Sequence, residues 1–444
     1  VASGSRRLAR ATALGGPRVA SSGPEGAANG VSSKNVPGLS TFSSNNVPVE
    51  AAACSAGSEA RMQPDLFTPE FHEDPYPTYA WLREHAPVYR EPRFGNFVVS
   101  RFADALEVLR DHATFSNARG QNPAGPQEGV PSLATTDPPL HDQLRALVSR
   151  AFTPRRVAES EPRIRALVRE LLEALPGRAF DLVPRVAIPV PVIVISEMLG
   201  VSPERSADFR RWSDALVALM ERPREPGLLA AALEMVAYFR EEVIPRRRAE
   251  PRDDLVSALL AAEIDGRKLS ETEIESFCLL LLVAGNETTT NLISNQLHVL
   301  SRRPDLWKRL RDEPRLAADA LEETVRWDSP VQNLARDATR DVTLHGVRIA
   351  AGDRVLVSFA AANRDSREFP AADEYRLDRA GARHLGFGFG VHFCLGAGLA
   401  RLEARCVLEG MLARFAEIAP GEGTPRRTHS TVIRGFEALP LVVR

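Results

Sequence analysis

Apolar residues recur at helical spacing through most of the chain: Leu140 to Phe152, Ile164 to Leu175, Ala207 to Met220, Leu228 to Val243, Leu255 to Ala262, Glu271 to Leu300 and Arg315 to Trp327. One-faced helices in succession bury their stripes by packing against one another, so this pattern restricts the chain to a helix-rich fold around a shared core. Further helix-like segments run through Tyr79, Leu82 and His85, through Ala105, Val108 and Leu109, and from Leu395 to Phe415. Strand-like pieces are short: Phe97-Val98-Val99-Ser100, Val342 to Ile349, Arg354 to Val357 and Leu439 to Val443. Turn signals at Leu344-His345-Gly346 and Ala351-Gly352-Asp353 flank them. With no internal repeat and no interior linker, residues 62–444 are expected to form one large, mainly α domain with a minor β component.

Residues 1–61 read differently. Runs such as Ser21-Ser22-Gly23-Pro24 and Ser43-Ser44-Asn45-Asn46 carry no sustained apolar periodicity, so the segment is expected to be a disordered extension or, if translation begins at Met62, a mis-assigned leader. Its basic residues, Arg6, Arg7, Arg10, Arg18, Lys34 and Arg61, give it a faint transit-peptide character.

Composition excludes several classes of function. Lys plus Arg total 56 against 58 Asp plus Glu, so there is no general basic field for nucleic acid or an anionic membrane. Val186 to Ile195 and Phe277 to Gly285, the longest apolar stretches, fall short of the roughly 20 residues that span a bilayer. Cys54, Cys278, Cys394 and Cys406 are scattered with no CxxC pair, which points to a reducing, cytoplasmic setting and not to a disulfide framework.

The strongest local signal is Phe387-Gly388-Phe389-Gly390-Val391-His392-Phe393-Cys394-Leu395-Gly396. Alternating glycines let a backbone turn sharply and approach something flat, and the helix beginning just after Cys394 favours a thiolate there. Most free cysteines are simply buried, and Cys406 and Cys278 fit that description. A hydrolase nucleophile would need a base, for which His392 is the only local candidate; a zinc site would need further close ligands.

A second constellation, Ala284-Gly285-Asn286-Glu287-Thr288-Thr289-Thr290, interrupts an apolar helix. Such an interruption costs helix stability unless it serves something, such as a local widening in which a hydroxyl replaces a backbone bond and leaves room for a small ligand or water. By itself a solvated face with tolerated threonines is at least as good a reading. Glu323-Thr324-Val325-Arg326 places a carboxylate and a guanidinium on one helix face, ordinarily a weak surface pair. In Asp137-Pro138-Pro139-Leu140-His141-Asp142-Gln143-Leu144-Arg145, His141 and Arg145 lie four apart, a spacing that suits a pair of carboxylates or an exposed basic face.

Together these segments resemble the cytochrome P450 superfamily of the soluble bacterial type, whose haem loop has the form Phe-Gly-x-Gly-x-His/Arg-x-Cys-x-Gly. The resemblance covers nearly all of Pro64 to Arg444, with Asp74-Pro75-Tyr76-Pro77, Thr114-Phe115-Ser116 and Asn363-Arg364-Asp365 adding to it. It implies a single haem-enclosing domain with haem b, Cys394 as the axial iron ligand, and His392, His141, Arg145 and Arg336 toward the propionates. Glu287 and Thr288 would be the acid and alcohol that deliver protons during O2 activation. Glu323 and Arg326 would form a buried pair completed by Arg379, holding the segment that leads to Cys394.

The activity implied is a monooxygenase that hydroxylates or epoxidises a small apolar substrate, as in secondary-metabolite tailoring. Alternatives are a haem-thiolate peroxygenase or isomerase, or a non-catalytic haem sensor. Electrons are expected from a separate ferredoxin and ferredoxin reductase or a flavodoxin, docking on Arg150, Arg155, Arg156, Arg401 and Arg405 of a monomer. Asn117 to Thr136, the helices of Ala207 to Val243, Leu282, Val283, Ala284, Asn286, Ser329 to Leu334, Val432 and Ile433 are expected to line the substrate pocket.

Overall fold

Ser270 starts the longest helix with a capping box: its hydroxyl accepts from the Glu273 amide at 3.2 Å while its own amide donates to Glu273 Oε2 at 2.9 Å. In the computed structural model this helix then runs without a break from Glu271 to Ser301 and forms the axis around which the others pack. The structure describes residues 63–126, 132–149, 152–221, 225–264, 266–379 and 383–444, which belong to one compact unit; residues 1–61, Cys54 among them, and Arg150 lie outside this description.

The helices that frame the site are α1 (Tyr76–His85), α2 (Phe102–Arg110), α3 (Leu140–Ser149), α4 (Pro154–Glu173), α5 (Pro189–Met198), α6 (Ser206–Glu221), α7 (Pro226–Tyr238), α8 (Glu271–Ser301), α9 (Ala317–Trp327) and α10 (Ala397–Arg414). Two differ from the sequence reading. α4 begins ten residues before Ile164, because Thr153 caps it and Pro154 occupies its first turn, where no amide partner is needed. α5 uses the apolar Val186 to Ile195 run; Pro189 and Pro191 both fall in its first turn, so neither removes an intrahelical bond. Wide π turns occupy Val183–Ala187 and Phe239–Val243, next to α5 and α7, whereas α8 has none.

A five-stranded sheet stands to one side, built from β1 (Val88–Arg90), β2 (Phe97–Val99), β3 (Phe115–Ser116), β4 (Asn333–Ala338) and β5 (Arg354–Ser358) in the order β1-β2-β5-β4-β3. β5 lies parallel to β2 and antiparallel to β4, with Val355 opposite Arg336 and Val357 opposite Leu334. The largest apolar core is helical and includes Trp212, Met235, Leu282, Leu297, Leu321 and Met411, while a second, including Val355, Val357 and Phe359, backs the sheet. The site lies where these two layers meet.

Candidate active site

The Phe387–Gly396 stretch crosses from the sheet side to the start of α10. Gly388 and Gly390 have φ of +73° and +70°, a left-handed conformation that side-chain-bearing residues resist. A Cβ on Gly390 would come within 2.9 Å of the Leu109 carbonyl oxygen, so the loop lies directly against the end of α2. The Cys394 amide closes the loop by donating to the Phe387 carbonyl at 2.9 Å. Burial pushes the Cys394 thiol up, while the amides of Gly396 and Ala397, which donate to the sulfur, and the cations Arg145 and Arg401 pull it back. Cys394 is surrounded by protein yet accessible, because its open side faces an internal cavity.

The centre of a water-sized sphere can move through about 270 Å³ of that cavity. The Cys394 loop and Leu399 form one wall; Leu281, Ala284, Gly285 and Thr288 of α8 contribute to the other. Four of the basic residues singled out in the sequence converge on it. His141 is fully buried on α3, its Nδ1 lies 3.0 Å from Asp142 Oδ1, and its Nε2 has no partner. His392 Nε2 is likewise buried without a partner, and the two imidazoles sit 4.3 Å apart. Burial, with Arg336 beside it, pushes the His392 pKa down to about 3, so the ring is a neutral donor. Arg336 is buried on β4, and its Nη1 donates to the Ala335 carbonyl at 2.7 Å. Burial lowers it to about 10, with Asp137 offsetting part of the effect, so it stays cationic. Arg145 donates to the Phe393 carbonyl at 2.7 Å. Buried donors and cations left with partial satisfaction are costly unless an anion completes them. A flat group carrying carboxylates at one edge and a thiol-binding metal at its centre suits this lining, and haem is such a group.

On α8 the cavity face is formed by Phe277, Leu281, Ala284, Thr288 and Leu292, spaced by three or four as one helical face must be. Thr288 Oγ1 donates to the Ala284 carbonyl at 2.6 Å. The expected widening of the helix does not occur, because this hydroxyl bonds back within an unbroken helix. Glu287, next in sequence, is half-buried but outside the cavity lining.

The expected pocket wall needs correction. Leu282, Asn286, Val432 and Ile433 do not line the cavity, and neither does any described side chain of Ala207 to Val243; the side chain of Val283 lies outside the description. Leu282 and Asn286 point from the other side of α8, and Phe209, Trp212, Met235 and Tyr238 are consumed in core packing. Gln121, Leu133, Ala134, Pro330, Val331 and Leu334 do line it.

The triad is assembled as expected. Glu323 accepts from Arg326 Nε and Nη2 at 2.7 and 2.8 Å, from Arg379 Nε at 3.1 Å and from the Arg376 amide at 2.8 Å. The arginines proposed for docking are less available than the sequence suggests. Arg155 pairs with Glu159 one turn along its own helix, while Arg156 pairs with Asp253, Arg401 with Glu322 and Arg405 with Glu161, acids that come from neighbouring elements and that the linear pattern does not place. Burial opposes ionisation of Glu322, but hydrogen bonds from Arg401 and His384 hold its carboxyl down to about 2.

Sequence reasoning missed Glu403. This α10 carboxyl lines the cavity, is almost wholly buried, and leaves Oε2 without a partner; burial raises it to about 8. Within α10 it reads as an ordinary charged helix residue, and only packing shows otherwise. Cys278 and Cys406 are buried core residues, as expected.

A sulfur on one wall, an apolar helix on the other and basic donors along an edge define a protein built to enclose haem. The model of the cytochrome P450 family matches residues 227–437. The vitamin D(3) 25-hydroxylase of Pseudonocardia autotrophica is 39% identical over 407 residues, covering 88% of this chain and 98% of that protein. Cytochrome P450 CYP109Q5 from Chondromyces apiculatus superposes with a TM-score of 0.79 at 43% identity, over 86% of this chain and 98% of its own. CYP109E1 from Bacillus megaterium, solved with testosterone, gives 0.76 at 35% identity over 83% and 99%. The chain belongs to the cytochrome P450 family; its cofactor is haem b and its activity that of a monooxygenase. Among the described residues no helix is long and apolar enough to cross a membrane.

Proposed function

We propose that this enzyme oxidises a bulky apolar substrate of sterol or macrolide size, with Cys394 as the thiolate ligand of the haem. The observation that carries the reading is the convergence of His141 Nε2, His392 Nε2, Arg145 and Arg336 on the same cavity as the Cys394 sulfur. These four groups would hold the propionates, which would complete the unmet bonds of His141 Nε2 and His392 Nε2 and balance the charge of Arg145 and Arg336. When bound, haem supplies the redox iron that activates O2 and transfers one oxygen atom to the substrate.

The chain's own residues orient and protect that chemistry. The Gly396 and Ala397 amides aim at the sulfur and stabilise its anionic form, which metal binding favours outright. Thr288 presents its hydroxyl at the cavity wall, held by the Ala284 carbonyl, and passes a proton inward; Glu287, on the same turn, resupplies it from the half-buried side. Leu281, Leu334 and Val331 keep water away from the substrate and leave its position to shape and apolar contact. The apolar lining and the names of the vitamin D hydroxylase and testosterone-bound relatives support a polycyclic substrate. A separate ferredoxin with its reductase, or a flavodoxin, supplies electrons.

The test is the absorption spectrum of the reduced, carbon monoxide-bound protein. Wild type should give the thiolate-ligated signature and Cys394→Ser should lose it; a Cys394→Ser protein that kept the signature would overturn the ligand assignment. A panel of sterols, macrolides and fatty acids, screened for substrate-induced spin-state shifts, would identify the substrate class.

A further inference from the structure

Asn286 sits between two residues that the proposed chemistry uses, yet it faces away from them. Two positions along an α-helix correspond to a rotation of about 200°, so its side chain lies almost opposite those of Ala284 and Thr288. It is buried, and its Nδ2 donates to Ser213 Oγ on α6 at 2.8 Å. Ser213 is also buried, and Asn286 Oδ1 has no partner, so its orientation is set by that one bond.

A polar pair in an apolar helix contact contributes little net stability, since both groups are taken out of water to meet. What it supplies is register: the bond is satisfied at one rotation of α8 against α6, whereas apolar side chains tolerate several. Four residues on, Thr290 Oγ1 donates to the Ala187 carbonyl in the π turn before α5, a second fixed point on the same helix. Between these ties lies the turn that carries Glu287, Thr288 and Thr289.

We infer that Asn286 is a positioning residue, whose bond to Ser213 sets the rotation of the Gly285–Thr288 turn and so the depth at which Thr288 enters the cavity. The inference rests on the assignment of Thr288 to proton delivery. The position of α6 thereby controls how well electron consumption is matched to product, although α6 contributes no described side chain to the cavity.

Three variants of the haem-loaded enzyme, Asn286→Ala, Ser213→Ala and the pair together, test this beside Thr288→Ala. Each single variant should lower product formed per NAD(P)H consumed by about 3- to 10-fold, with the difference appearing as peroxide. Haem content and the dissociation constant from the spin-state shift should stay within about twofold. The double variant should be no worse than the poorer single one, because both remove the same bond. Hydrogen exchange of the 284–290 amides, which reads the helix directly, should quicken in both single variants. Unchanged exchange in both, or losses that multiply in the double variant, would overturn the inference. If Thr288→Ala uncouples the enzyme while Ser213→Ala and Asn286→Ala do not, the tether is wrong and the relay stands. If Thr288→Ala stays coupled, the relay is wrong, and exchange still decides whether the tether positions the turn. Ser213→Ala removes one oxygen atom, so it keeps the test available should Asn286→Ala fold poorly.

Discussion

Replacing Glu323 with Gln changes one atom and should cost more than most truncations in the core. Glu323 is the shared carboxylate of two guanidiniums: Arg326, whose side chain is 1% exposed, and Arg379, at 10%. In the wild type its two oxygens receive the Arg326 fork, Arg379 Nε and the Arg376 amide. Gln keeps the shape but offers a neutral oxygen and turns an NH2 donor toward other donors. Arg326 still holds the carbonyls of Asn363, Ala372 and Glu374 at 2.8–3.0 Å, so it is not stripped of partners. Breaking a buried ion pair from one side costs about 3–5 kcal/mol, and these remaining carbonyls place the expectation near ~3 kcal/mol. Against the ~5–15 kcal/mol that holds a typical domain together, that is a large share. The carbonyls lie on the segment leading toward the Cys394 loop, so haem retention should fall with stability. Urea unfolding followed by far-UV circular dichroism measures the first and haem per polypeptide the second. A loss below ~1 kcal/mol with full haem content would refute the account of the triad as a buried electrostatic clamp.

Glu403→Gln should flatten part of the pH dependence of stability. Its folded pKa, about 8, lies above the unfolded value of 4.5, so the folded protein keeps a proton the unfolded chain has lost. The stability penalty is absent below pH 4.5, grows up to about pH 8 and reaches at most ~5 kcal/mol, at ~1.4 kcal/mol per pH unit. Melting curves from pH 5 to 8 should therefore converge less steeply in the variant, and identical profiles would remove Glu403 as the source. Gly390→Ala forces a left-handed φ and a 2.9 Å approach to the Leu109 carbonyl, so ~1–3 kcal/mol of stability and part of the haem should be lost; a normal holoenzyme would refute the close approach. Because Arg156 and Asp253 form a neutral surface pair, replacing both with Ala should change the rate of reduction by an acidic ferredoxin less than twofold and leave its salt dependence unaltered. A steep loss would make this face a steering surface.

Local chemistry was legible in the sequence because it depends on neighbours along the chain. The left-handed glycines before Cys394 and the Glu323–Arg326 spacing are each set within a few residues, and backbone geometry fixes their meaning wherever the chain folds. The mainly helical architecture followed from periodicity for the same reason. What tertiary structure decided are matters of direction and distance between elements. It turned Asn286 toward α6 and Thr288 toward the cavity, though two positions separate them. It buried Glu403 without a partner in a helix that also carries the exposed Gly398, and it matched Arg156, Arg401 and Arg405 with acids that the sequence pattern could not place beside them. A carboxylate's pKa and an arginine's availability are set by what packs against them, and packing partners far apart in the chain leave no periodic trace in it.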